Sequence, residues 1–427
     1  LLSKNEGNQY YFYSFSNFLA AFGGGMILGK GIGAINVPFL QGGSVQAFFV
    51  GSVLGLGLLQ FFPKKWAAII PPIFSSLAAA TSLILLFLFK NYSFLGKLDD
   101  TPAIIFFLLL CIRFGFWFYS RVLRASLAAG KQQKIAWVEL GYYTGMISGL
   151  IIWKFLGITI GMIAALALDA ALQFSAGALD LIAKSIFSTA RSSQKIIIAT
   201  PRQIQSINTK KNLWVWRLAS AVMLLTVGIQ VVIFSLAHHV SEYFSSYIIA
   251  FYYLGVSIAA LTCKKLNIQF AWDFSKSKHT GYATINSTSK NTHKNFRLSL
   301  STIVLLAIIT VVSTIFTGLY SEDLYNPLIT FPFLSSAVIA FLACITASAF
   351  FYEIVALSLI DRIGSEEKEI NKQGMVIRTY GLMAIAAALS LWLLSATNST
   401  SNGLIITLLI CLSITIFSVR KRNLTEI

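Results

Sequence analysis

Twelve separate stretches of this chain are apolar over enough residues to cross a bilayer as a helix, at about 10–35, 45–62, 66–89, 102–123, 135–153, 156–181, 213–236, 244–263, 298–319, 328–357, 374–395 and 403–419. Each is expected to be helical, because the hydrocarbon core offers no water to satisfy backbone groups and the alternation of a barrel strand is absent. Composition agrees: 56% of the 427 residues are hydrophobic and only 11% are charged, whereas a soluble domain carries about 25% charged residues. The sequence therefore predicts an all-α integral membrane protein of about twelve transmembrane helices.

Orientation follows from the basic residues. With the N-terminus placed in the cytoplasm, every Lys and Arg falls on the cytoplasmic side except Lys30, Lys90, Lys97, Arg113 and Lys154, which is the asymmetry of the positive-inside rule. Both termini are expected in the cytoplasm and a bacterial inner membrane is the expected location. The formal net charge of +17 is then an attraction to anionic inner-leaflet lipid rather than a nucleic-acid surface.

Two connections are long. Residues 182–212, rich in Ser, Gln, Lys and Arg, divide the chain into a six-helix half at 1–181 and another at 213–427, and are read as a cytoplasmic linker. Residues 267–295 are rich in Ser, Thr, Asn and Lys and are expected to form a solvated loop. His279 and His293 in that loop are too far apart for a metal site, and Cys111, Cys263, Cys344 and Cys411 show no metal-type spacing, so neither a metal nor a cofactor is expected. The first apolar segment is long, with a weak basic region before it, and is not read as a signal peptide.

The loop between the second and third spans reads Gly57-Leu-Leu-Gln-Phe-Phe-Pro-Lys64-Lys65. With twelve spans, cytoplasmic termini and a basic central linker, it resembles the major facilitator superfamily, whose corresponding loop keeps the glycine and the basic end but has an aspartate where Phe61 stands. Segments beginning at Trp137 (WVELGYYTGMISG) and Met375 (MVIRTYGLMAIAA) also resemble each other across the halves. The resemblance implies two six-helix halves rocking around a midplane site, with spans one, four, seven and ten lining the cavity. It would place Lys30 and Arg113 on that cavity.

Charges inside spans are where function is sought, since each costs at least about 2.5–3.5 kcal/mol to insert without a partner or a wet cavity. Arg113 lies near the middle of span four, and Trp117, Ser120, Arg121 and Arg124 share its face at helical spacing. Arg113 and Lys30, with Trp117 and with Gln230 in the middle of span seven, are the candidate substrate contacts. Two cations without an adjacent acid favour an anionic ligand, a carboxylate or a phosphate. Among the acids, Glu139 is a candidate for coupling or charge balance and is within reach of Arg121 or Arg124. Asp169 forms a polar stripe with Gln173 and Asp180, and Asp169 and Glu353 are candidates either for proton coupling or for balancing Arg113. The tyrosine doublets Tyr142–Tyr143 and Tyr252–Tyr253 carry no weight here, because aromatic residues make up 14% of the chain.

No phosphate-binding loop, HExxH or GxSxG pattern occurs, and the cytoplasmic segments are too short for a nucleotide-binding domain, so no enzyme is expected. The reading is a secondary transporter, symporter or antiporter, moving a small and anionic organic solute with a proton or another ion. A flippase for a lipid or lipid-linked oligosaccharide is the first alternative, and a non-transporting receptor or assembly factor the second.

Overall fold

The structure, a computed structural model, describes residues 2–30, scattered positions in 44–55, residues 69–93, 98, 100–127, 132–152, 161–191, 242–265, 268–270 and 296–298, and scattered positions in 342–357. Six helices are defined over these residues: α1 (Leu2–Lys30), α2 (Ile70–Tyr92), α3 (Asp100–Leu127), α4 (Gln132–Ile147), α5 (Met162–Arg191) and α6 (Glu242–Lys265). They correspond to spans one, three, four, five, six and eight. The described positions in 44–55 and 342–357 are helical as well and belong to spans two and ten.

Among the described residues, Ile70–Tyr92, Thr101–Ala125 and Met162–Ser185 are long and apolar enough to cross a membrane. The outer faces explain why the bilayer is their solvent. Ile73, Leu83, Ile84 and Phe87 on α2, Leu108 on α3 and Phe174 on α5 are all exposed, and an apolar band spread over three helices belongs against lipid rather than water. The chain is an integral, multi-pass membrane protein.

Local sequence accounts for the helix ends. Pro71 and Pro72 sit in the first turn of α2, where the missing N–H would have no intrahelical acceptor anyway. Expected to stop near residue 181, α5 runs on to Arg191, ten residues into the stretch read as linker. No Pro or Gly interrupts it there, and water can satisfy a helix that has left the membrane. After Ile147, α4 continues as a single π turn over Ser148–Ile152.

Within the N-terminal half, α1 and α4 lie backbone to backbone. A Cβ added at Gly141, Gly145 or Gly149 would meet the carbonyl oxygen of Ser14, Phe18 or Phe22 respectively. The pairs advance by four residues on both helices, so α1 and α4 run parallel along one glycine seam. Gly51 and Gly55 of span two close in the same way on Cys111 and Gly115 of α3, and Gly255 of α6 on Thr346 of span ten.

One feature is an addition to the all-helical expectation. Ile268–Phe270 and Phe296–Leu298 pair as two short parallel strands, β1 and β2, with Ile268 opposite Phe296. They bracket the stretch read as a solvated loop and bring its two ends together. The Gly57–Lys65 loop, most of the 182–212 linker and spans seven, nine, eleven and twelve lie outside the described residues.

Candidate functional site

The basic stripe of α3 is fully acid-paired. Arg113 donates from Nε to Asp169 Oδ2 at 3.0 Å and from Nη2 to Asp169 Oδ1. Arg121 donates from Nη2 to Glu139 Oε2 at 2.7 Å, and Arg124 from Nη2 to Asp180 Oδ2 at 2.7 Å. Arg113 and Arg124 are eleven residues apart on α3, and Asp169 and Asp180 eleven apart on α5. Eleven residues are about three turns, or about 16 Å, so each set occupies one face. Matching both pairs requires the two helices to run in the same direction.

Serines and amides complete the two inner pairs. Asp169 Oδ2 also accepts the Ser82 hydroxyl at 2.5 Å, and its Oδ1 accepts Gln173 Nε2 at 3.3 Å. Gln173 Nε2 reaches the Ala20 carbonyl as well, at 2.9 Å. Arg124 donates to Asn17 Oδ1 at 3.1 Å and to Ser75 at 2.7 Å. Arg113, Arg124, Asp169 and Gln173 are wholly buried. Desolvating such charges is unfavourable by several kcal/mol per ion, and only close partners with filled lone pairs offset that. The partners come from α1, α2, α3 and α5, so this network knits the N-terminal half into one body.

The pairing corrects one premise of the sequence reading. Arg113 is not a cation without an adjacent acid, because Asp169, a candidate for coupling or charge balance, lies against it. The reason is geometric: fifty-six residues separate the two in the chain, beyond the reach of helical spacing. Glu139 pairs with Arg121, the first of its two possible partners.

Hydrogen-bond capacity is left over at this level. Arg113 Nη1, Trp117 Nε1 and Gln173 Oε1 are buried and find no hydrogen-bond partner among the described residues. The guanidinium of Arg113 lies 5.0 Å from the centre of the Trp117 ring and 4.9 Å from that of Phe114. Lys30, at the end of α1, is partly buried and forms no ion pair with any described residue. It stands seven residues beyond Gly23, whose missing Cβ leaves room for Asp169. Seven residues are two turns, so Lys30 shares the Gly23 face about 10 Å further along α1. Gln230, the remaining candidate contact, lies outside the described residues.

A second polar cluster joins the halves. The hydroxyls of Tyr142 on α4 and Tyr253 on α6 are 3.1 Å apart, and the Tyr143 hydroxyl donates to Glu353 Oε1 of span ten at 2.6 Å. Below them the Arg121 guanidinium sits 3.4 Å from the centre of the Tyr142 ring, a cation–π contact added to its bond with Glu139. Trp117 packs on Tyr142 with ring centres 5.5 Å apart, so a continuous aromatic path leads from Arg113 to the seam between halves. Sequence reasoning passed over these tyrosines. The usable signal was the repeated doublet, Tyr142–Tyr143 in span five and Tyr252–Tyr253 in span eight.

No family model matches the sequence, and no curated protein matches it. Solved structures do. The chain is similar to the xylose transporter XylE from E. coli in a partially occluded inward-open conformation, at 12% identity and TM-score 0.58 over 96% of this chain and 97% of that one. XylE is described as a proton:xylose symporter of the major facilitator superfamily. The chain has the major facilitator fold. Two further likenesses agree. A bacterial homologue of the iron transporter ferroportin aligns at 10% identity and TM-score 0.54, over 96% and 97% of the chains. The E. coli fucose:proton symporter FucP aligns at 13% identity and TM-score 0.51, over 97% and 98%. In this fold α4, α6 and span ten meet where the two halves face each other, which is where Tyr142, Tyr253, Tyr143 and Glu353 stand.

Proposed function

We propose that the chain is a secondary active transporter that moves a small organic anion by alternating access, coupled to protons, and that it is not an enzyme. The observation that carries the reading is the contrast between its two polar clusters. Among the described residues, the charged groups of the N-terminal half are held in buried ion pairs, whereas the halves meet through hydroxyl contacts, Tyr142–Tyr253 and Tyr143–Glu353. Bonds of that kind contribute about 0.5–1.5 kcal/mol net, small enough to break and remake as the halves rock. In this reading 1–181 and 213–427 are the moving bodies, both termini are cytoplasmic and the membrane is a bacterial inner membrane. The solute is met by Lys30, Arg113, Trp117 and Gln230.

Among the three candidate acids, Glu353 suits coupling best. Asp169 and Glu139 are each held by an arginine, which fits them for charge balance. Glu353 is buried, and its partner among the described residues is a hydroxyl. Proton arrival at Glu353 would change the Tyr143 contact across the seam, so protonation and the position of the halves are linked. Glu353→Gln is expected to lower solute-driven proton movement by about tenfold or more while counterflow exchange stays within about twofold of the parent. Equal loss of both would move the coupling role elsewhere.

The reading is tested in proteoliposomes loaded with a pH-sensitive dye. Organic anions, sugars, amino acids and lipid-linked diphosphates are added outside in turn. An anion that shifts lumenal pH, with the shift abolished by a protonophore, supports the proposal. A response to neutral solutes alone removes the anion and keeps the transporter. Binding of lipid diphosphates alone points to a flippase, and no movement of any class overturns transport.

A further inference from the structure

We propose that Arg121 is the positioning residue of the coupling step: held by Glu139, its guanidinium seats Tyr142 and Tyr143 against the opposite half, and through them the position of the halves follows the proton on Glu353. The inference rests on the coupling role proposed for Glu353 and deepens it by naming the group that carries its signal into the N-terminal half.

Three observations carry it. The first is how Arg121 is held. Its Nε and Nη2 both donate to one oxygen, Glu139 Oε2, at 3.1 and 2.7 Å. The guanidinium carbon lies 3.4 Å from the centre of the Tyr142 ring and 5.9 Å from that of Tyr143. A separation of 3.4 Å is van der Waals contact between two flat groups, so the guanidinium lies face-on to Tyr142; turned edge-on, its nitrogens would enter the ring. Arg121 and Glu139 together form a platform on which the Tyr142 ring rests.

The second is what those two rings touch next. Tyr142 reaches Tyr253 of α6, hydroxyl to hydroxyl, at 3.1 Å, and Tyr143 donates to Glu353 of span ten at 2.6 Å. Each of these contacts across the seam is one ring away from the guanidinium. The rings also pack on one another: the centres of Tyr142 and Tyr143 are 5.4 Å apart, and the centre of Tyr253 lies 5.8 Å from the first and 6.2 Å from the second. In so close a cluster a shift of one ring displaces the others. Arg113 and Arg124, by contrast, bond to groups of α1, α2 and α5, all within the N-terminal half. Their side chains are 0% exposed against 11% for Arg121, so of the three arginines Arg121 has the most freedom to follow the tyrosines.

The third is electrostatic. The titratable and charged groups that face Glu353 among the described residues are Arg121 of α3, Glu139, Tyr142 and Tyr143 of α4, and Tyr252 of α6. Glu139 and Glu353 therefore both act on one cation, Arg121, the first by direct bonds and the second through its field. An ionised Glu353 accepts the Tyr143 hydrogen and draws Arg121 toward the seam. When a proton arrives on Glu353 Oε1, that oxygen becomes a donor, the Tyr143 O–H turns away from it, and the guanidinium is left to Glu139. Both seam contacts change with that one proton, which stays on Glu353 until the halves have moved and then leaves to water.

The test uses the whole chain in proteoliposomes with no solute present. Spin labels are attached through Ser185→Cys on α5 and Leu261→Cys on α6, exposed residues of opposite halves, after Cys111, Cys263, Cys344 and Cys411 have been replaced by alanine. Pulsed electron resonance reads the distances between the labels from about pH 5 to about pH 9, a range that covers a buried carboxyl. In the parent the ratio of near to far populations is expected to change by about fivefold or more across that range, and in Glu353→Gln by less than about twofold. Arg121→Met with Glu139→Leu replaces the pair by apolar side chains of similar volume and should fold. It is expected to lose the response as Glu353→Gln does, although Glu353 is still present, whereas a pair that is merely structural would leave the response intact. Should the double variant not fold, Arg121→Lys decides, because it keeps the charge beside Glu139 but not the flat face on Tyr142, and its response should fall by about threefold. A full response in the variant that decides overturns the inference and leaves coupling at Glu353 standing. A parent without a response, or a response that survives Glu353→Gln, overturns the coupling role of Glu353 and the inference with it.

Discussion

Arg113→Met is expected to destabilise the protein by about 3–5 kcal/mol, and Arg113→Met with Asp169→Val to recover most of that loss. The single change keeps the length and apolar volume of the arginine stem but leaves the Asp169 carboxylate wholly buried, with Ser82 and Gln173 as its remaining side-chain partners among the described residues. In the double variant both charges are gone together, and apolar side chains of similar volume fill the place of a buried pair at little or no net cost. Denaturant titration in detergent micelles, followed by intrinsic fluorescence, measures both variants. A single mutant within about 1 kcal/mol of the parent would mean that water reaches Asp169, and the knitted network of the N-terminal half would lose its basis. The double variant isolates structure from function as well. It should fold, and on the proposed function it should still fail to bind the transported anion, because the guanidinium has left with the arginine.

How far that network could be read in advance depends on sequence separation. The depth of Arg113, the face it shares with Trp117, Arg121 and Arg124, and the stripe of Asp169, Gln173 and Asp180 all follow from helical spacing within one span. That the two stripes meet rung by rung depends on which spans adjoin, and hydropathy carries no information about that. The equal eleven-residue spacing on α3 and α5 was a clue, since two ladders with one period can mate along their length. Glu139 was closer to hand, because only four residues separate α3 from α4 in the chain and leave few possible partners. The tyrosines were the opposite case. In a chain with this many aromatic residues a doublet is unremarkable by count, and Tyr142 and Tyr143 gain meaning only when Tyr253 and Glu353 are brought against them from the other half.

Gly145→Ala, the addition of one methyl group, is expected to cost about 3 kcal/mol, although alanine is the better helix former by about 1 kcal/mol. Steric contact decides the sign. The new Cβ would fall against the Phe18 carbonyl oxygen, 2.9 Å from the Ala21 Cβ and 3.0 Å from the Phe18 Cα. Two of these three atoms are backbone, which cannot swing aside as a long side chain would, so α1 and α4 must separate. Separation also strains the bonds laid across the seam, from Ser14 Oγ to the Trp137 carbonyl at 2.9 Å and from Asn17 Nδ2 to the Val138 carbonyl at 3.3 Å. Gly161→Ala is the control, because a Cβ there meets nothing within 4 Å, and it should stay within about 0.5 kcal/mol of the parent. Equal tolerance of both substitutions would mean that α1 and α4 are not in backbone contact. The comparison bears on mechanism as well as stability. Small residues could serve either a fixed joint or a sliding one, yet the α1–α4 seam lies within one half and the Gly255–Thr346 contact within the other. Fixed joints of this kind keep each half rigid, and in the proposed alternating access the motion falls between the halves, where among the described residues Tyr142 meets Tyr253 and Tyr143 meets Glu353.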